Sequence, residues 1–211
     1  MRLQQPDFAR RLLIATLIVC SVVHAARSCL MTAMLPGLRA AVKLVHPQFN
    51  VFGLDLTRET APEALRLRAN LIRPVQIAGR TIYPIAWPHP ERGGFEVKIT
   101  LGAVLSPAIA LMITAAIWPL RSAVEGFTRV TMAIVLAWLV TIATALVTLH
   151  AELLYAAVHA SVPFPATVSL SAATMASRLL MDGGGFAIAI GLALSAVALG
   201  SRLAATDVMR A

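Results

Sequence analysis

The stretch 100–120 carries no charged residue in 21 positions, and that feature constrains this chain more than any other. A helix rises about 1.5 Å per residue, so a run of this length matches a hydrocarbon core roughly 30 Å thick. Comparable apolar runs lie near 12–35, 130–150 and 183–201. Inside lipid, backbone N–H and C=O groups must satisfy one another, which a continuous helix does locally. The sequence therefore predicts a membrane α-helical protein with about four transmembrane helices. A hydrophobic content of 58% and a mean hydropathy of +0.78 agree, being too high for a soluble domain of this length.

The formal charge of +8 raises nucleic acid as a partner. The basic residues flank the apolar runs, however, where anionic lipid is the nearer counter-charge. The partners expected are the lipid bilayer and other membrane proteins, with no nucleic acid.

The first span runs from about Leu12 to Leu35, interrupted by His24 and Arg27. Arg10 and Arg11 ahead of it, with Ala25 and Ala26 near its close, have the look of a secretory signal. The stretch 28–38 stays apolar, which favours an uncleaved anchor over a removed leader. Pro36-Gly37 is expected to end the helix, leaving 38–45 as a short amphipathic piece on the membrane surface.

Residues 48–99 differ in kind. Phe52, Leu54 and Leu56 alternate with Gly53, Asp55 and Thr57. Leu65, Leu67, Ala69 and Leu71 alternate with Arg66, Arg68 and Asn70. Phe95, Val97 and Ile99 alternate with Glu96, Lys98 and Thr100. Period-two patterning predicts half-buried antiparallel strands. Between them, 75–77 and 81–83 flank Ala78-Gly79-Arg80, a tight hairpin. A small extracytoplasmic antiparallel β-domain of four or five strands is expected between helices 1 and 2. The implied domains are an N-terminal anchor helix at 1–37, a β-rich domain at 38–99 and a three-helix transmembrane region at 100–211.

The second span is Thr100 to Leu120 and the third starts at Val130, with Arg121 to Arg129 as a polar link. The third closes near His150 or Tyr155. Pro163 and Pro165 then break the chain, and Ala166 to Met181 reads as a surface or re-entrant helix. Gly183 to Gly185 open the last span, which ends near Gly200. Short flanks set orientation. With the amino end inside, that side carries Arg2, Arg10, Arg11, Arg121, Arg129, Arg202 and Arg210, whereas the loop 151–182 carries Arg178 alone. The expected location is a bacterial inner membrane, multi-pass, with both termini cytoplasmic.

Chemistry-bearing residues are sparse. His150, Glu152 and His159 are the nearest thing to a polar constellation. On a helix Glu152 and His159 share a face while His150 points away, so no metal set is expected. His24 and Arg27 share a helix face within or near the bilayer, a default functional position. Arg66, Arg68, Arg73 and Arg80 form a candidate anion-binding face, since guanidinium matches phosphate and carboxylate. Gly191, Ser195, Ala196 and Gly200 make a small-residue stripe suited to helix packing. No nucleotide, thiol-redox, zinc-protease or serine-hydrolase motif is present, and no catalytic residue, metal or cofactor is expected.

The layout, together with Ala69-Asn70-Leu71-Ile72-Arg73-Pro74, resembles small accessory membrane proteins of bacterial exosortase or exopolysaccharide systems. That resemblance implies an accessory or assembly subunit of an envelope complex, binding partners through its helices and β-domain. Two alternatives stay open: a small transporter or permease component, and a membrane enzyme with an interfacial His/Glu site.

Overall fold

A computed structural model describes residues 5–57, 63–77, 80–84, 94–118, 123–161, 175, 178–179 and 184–208. In chain order the elements are α1 (Gln5–Val45), β1 (Phe49–Thr57), β2 (Ala64–Leu71), β3 (Val75–Ile77), β4 (Arg80–Ile82), β5 (Phe95–Thr100), α2 (Leu101–Ile117), α3 (Ala123–Ser161) and α4 (Gly185–Val208). Two helices, over Phe8–Val45 and Ala123–His159, are long and apolar enough to cross a membrane. Leu101–Ile117 and Gly185–Leu199 are shorter apolar helices. The segment Ala166 to Met181 lies outside the described residues except for 175, 178 and 179, which are helical.

The strands form where alternation placed them. β1, β2 and β5 make an antiparallel sheet in the order β1-β2-β5, and β3 pairs with β4 in a separate hairpin. Leu65, Leu67, Ala69 and Leu71 of the central strand are buried, as are Phe95, Val97 and Ile99 beside them. The other face carries Arg66 opposite Asp55 and Lys98, and Arg68 opposite Gly53 and Glu96. In the hairpin Ile77 faces Arg80, so its second strand begins one residue before the expected 81.

Four boundaries depart from the sequence reading. Pro36 does not break α1, which continues to Val45. Proline in a helix interior removes one hydrogen bond and costs about 3 kcal/mol. Burial of Met31, Met34, Leu38 and Val42 along one face offsets that cost. The piece 38–45 is accordingly the last two turns of α1, buried at Leu38 and Val42 and exposed on its other side. Its Arg39 donates from Nε and Nη2 to the Leu54 carbonyl of β1 at 3.1 and 2.7 Å.

In β1 the register slips between Val51 and Gly53. This bulge turns Phe52 outward, so Phe49, Val51 and Leu54 share the buried face instead of Phe52 and Leu54. Thr100 closes β5 and α2 starts directly at Leu101, whose N–H donates to the Glu63 carbonyl at 3.1 Å. The charge-free run is thus split, and α2 has 17 residues, about 25 Å of rise. Lastly, 123–129 of the expected polar link are the opening turns of α3.

Contacts divide the chain into two compact units. One comprises Met1–Arg27, Leu105–Thr141 and Gly183–Ala211; the other comprises Ser28–Val104 and Ile142–Asp182. Chemistry along the sequence divides it instead at 37/38 and 99/100, because α1 and α3 each contribute one half to each unit. In the first unit Leu111, Ala115, Ala133, Ala189 and Ala193 form a core of mostly small residues from α2, α3 and α4. Alanine at these positions permits close helix approach without lost rotamer entropy. The second unit holds both sheets and the later halves of α1 and α3.

Candidate functional site

α1 ends at Val45, and the chain must turn to enter β1 at Phe49. His46 sits in that turn. Its N–H donates to the Val42 carbonyl at 2.9 Å, continuing the helical ladder by one bond, and its carbonyl accepts from the Phe49 N–H at 3.0 Å. Held at both backbone groups, the side chain is directed inward and is 0% exposed.

There it lies against His150 of α3. The two imidazoles are parallel to within 5°, with ring centroids 4.5 Å apart and Nδ1 atoms at 3.1 Å. Phe49 meets His46 edge-on at 6.5 Å, and Phe95 meets Phe49 edge-on at 6.4 Å. The small Ala69 of the central strand, paired with Val51 and Phe95, leaves room for the two phenyl rings to meet. A file of four rings therefore runs from α3 across the inner face of the sheet.

The Nδ1 contact needs one ring to donate and the other to accept. Nε2 of His46 is buried without a hydrogen-bond partner. An imidazole lacking a proton at that nitrogen avoids a stranded donor, so His46 is best written as the Nδ1–H tautomer donating to His150. Burial first, and the neighbouring His150 second, push the His46 pKa down from 6.5 to about 4. The pair is a poor metal site. Two imidazoles fall short of the three or four convergent ligands that a metal site needs. Among the described residues no group of three or more His, Cys, Asp or Glu is placed to hold a metal.

The other sequence candidates are dispersed. Glu152 is exposed, and His159 stacks on Tyr155 at 3.9 Å while its Nδ1 contacts the Tyr155 carbonyl at 3.0 Å. His150, Glu152 and His159 thus do not converge. His24 is exposed and meets Arg27 Nη1 at 3.3 Å. On the sheet, Arg66 is held by Asp55 through Nε and Nη2 at 3.1 and 2.5 Å. Arg68 lies across Gly53, its Nε 3.2 Å from where a Cβ would stand. Arg73 is exposed, Arg80 begins β4, and the Arg80 side chain is outside the described residues. On α4 the buried small residues are Ala189, Ala193 and Ala196, while Gly191 and Ser195 face outward. Gly200 lies in α4, with its surroundings outside the described residues.

Two features went unread in the sequence. His46 belongs to no pattern in the sequence, and its position between a helix end and a β-run was the available signal. The other is a buried charged cluster in the first unit. Arg129 donates from Nη2 to Glu125, from Nη1 to the Trp118 carbonyl at 2.8 Å, and Ser201 donates to Glu125 at 3.0 Å. Spacing of four on a helix was the available signal. Comparison with protein-family models, with curated proteins and with solved structures finds no match.

Proposed function

We propose that this chain is an integral membrane accessory or assembly subunit of a bacterial envelope complex, of the exosortase or exopolysaccharide kind. In this reading four helices cross the inner membrane, both termini lie in the cytoplasm and the sheet-bearing unit stands on the extracytoplasmic side.

The observation that carries the membrane part is an uncovered apolar surface. Leu13 and Val22 of α1 are 63% and 60% exposed, and Ile134 and Leu139 of α3 are 52% and 56% exposed. Water around so much aliphatic surface is unfavourable, at about 25 cal/mol per Å². Lipid removes that penalty. The short-flank arginines supply the orientation. For the partner, support comes from α4: Ala189, Ala193 and Ala196 are used internally, and a Cβ on Gly191 would meet nothing within 4 Å. That leaves a small-residue surface for a helix of another chain.

Affinity purification of a tagged chain from mild detergent tests the subunit role. Co-purification of a defined membrane partner is the expected result; a stable monomer free of partners argues against it. Carbonate extraction and thiol-accessibility mapping of Gln76→Cys and Ser161→Cys, in a background without Cys20 and Cys29, test the topology, both positions labelling from outside. The permease alternative finds few polar groups: Thr114 is bonded to the Ala110 carbonyl of its own helix, as Ser195 is to Gly191. The enzyme alternative needed His150, Glu152 and His159 together, and these stand apart.

A further inference from the structure

We infer that the paired imidazoles of His46 and His150 form an acid-sensitive latch: on acidification the pair takes up a proton, the join between the end of α1 and α3 opens, and the sheet-bearing unit loosens selectively.

The geometry supplies the reason. A neutral His46 needs one partner, and His150 provides it across 3.1 Å. A protonated imidazole has two N–H donors. One still bridges to His150; the other, at Nε2, is buried with no acceptor in reach among the described residues. A second proton, on His150, would place two cations face to face at a 4.5 Å ring separation. Charging is therefore unsatisfied in the closed arrangement and satisfied once water enters.

Among the described residues no neighbouring charge rescues it. On α1, Arg39 is committed to the Leu54 carbonyl and Lys43 is exposed. On β1, Asp55 holds Arg66. On β5, Glu96 and Lys98 pair with each other at 3.0 Å on exposed positions. On α3, Glu152 and His159 are exposed.

The sign follows from the His46 pKa, which lies at about 4 against the ordinary 6.5. The opened state binds the proton first, so the closed state has its full stability above about pH 6.5 and loses it as pH falls toward 4. Between pH 7.5 and 5.0 the opening equilibrium is expected to rise on the order of tenfold. Under the topology proposed above, the latch would face the extracytoplasmic side, whose acidity follows the surroundings. The test uses solubilised full-length protein and stands or falls without that topology.

Amide hydrogen exchange in detergent, corrected for the intrinsic rate, reads the opening at pH 7.5 and 5.0. Protection in 42–57 and 146–157 is expected to drop on the order of tenfold, while 186–197 of α4 holds. Equal change in all three segments, or none, overturns the latch. The double variant His46→Phe with His150→Phe is expected to abolish the selective loss; persistence of that loss overturns it. Should the variant not fold, imidazole ¹⁵N shifts of the unaltered protein decide. A neutral His46 at pH 6 whose protonation coincides with the loss of protection supports the latch. A His46 already protonated at pH 6 with protection intact overturns it.

Discussion

The side-chain oxygen of Asn70 occupies the space beside Gly94 where a Cβ would stand, 2.1 Å from that position. Gly94 has φ +136°, a backbone region that side-chain-bearing residues rarely adopt, and the Ala69 carbonyl would be 2.9 Å from the same Cβ. The glycine lets the chain enter β5 hard against β2, where Ala69 pairs with Phe95. Gly94→Ala is therefore expected to destabilise the sheet-bearing unit by about 1–3 kcal/mol. Denaturant titration in detergent checks this. Adding Asn70→Ala should recover only part of the loss, since the backbone strain and the Ala69 carbonyl remain.

Arg39 ties α1 to the edge of the sheet. Its guanidinium donates twice to the Leu54 carbonyl, and charged hydrogen bonds of this kind contribute about 1.5–3 kcal/mol. Arg39→Ala is expected to lower stability by that order. Arg39→Lys should restore less than half, because an ammonium cannot reproduce the planar fork. Thermal unfolding of both variants reads the difference.

Glu125 and Arg129 are buried together, their side chains 2% and 3% exposed. Removing one partner leaves the other charge stranded, at a cost of about 3–5 kcal/mol. Arg129→Met is expected to show a loss of that size. The double variant Glu125→Leu with Arg129→Met should be milder than either single change. A double variant that loses as much as the two single changes together would show that the charges are not coupled as described.

The face of α4 that packs can be located by two substitutions. Ala193 is buried in the alanine-rich core, so Ala193→Leu is expected to cost about 1–3 kcal/mol through overpacking. Gly191→Ala meets nothing, and replacing a helix-interior glycine should stabilise by about 0.8–1 kcal/mol. The same Gly191 change to a bulky residue, Gly191→Leu, should instead weaken recovery of the partner in the purification described above. Quantifying co-purified protein checks that outcome.

Alternation along β2 was fully legible, because a two-residue period survives whatever covers the sheet. The slip in β1 was not. Gly53 inside the alternation hints at a bulge, but its position and the slip are fixed only when Leu54 and Leu67 are placed opposite each other. Pro36 misled for the opposite reason: a strong local breaker was overridden by the burial of Leu38 and Val42 on either side of Arg39. The His46–His150 contact joins residues 104 positions apart, and neither has a local signature.

By itself the sequence determined the apolar helices, the antiparallel strands and the inward residues of β2 and β5, since each follows from periodicity and the cost of exposing backbone or aliphatic surface. Tertiary structure alone decided that α1 runs through its proline, that β1 slips register before Gly53, and that two distant histidines share one buried contact. Those outcomes depend on which surfaces meet, and the energy of a meeting is held by no single stretch of chain.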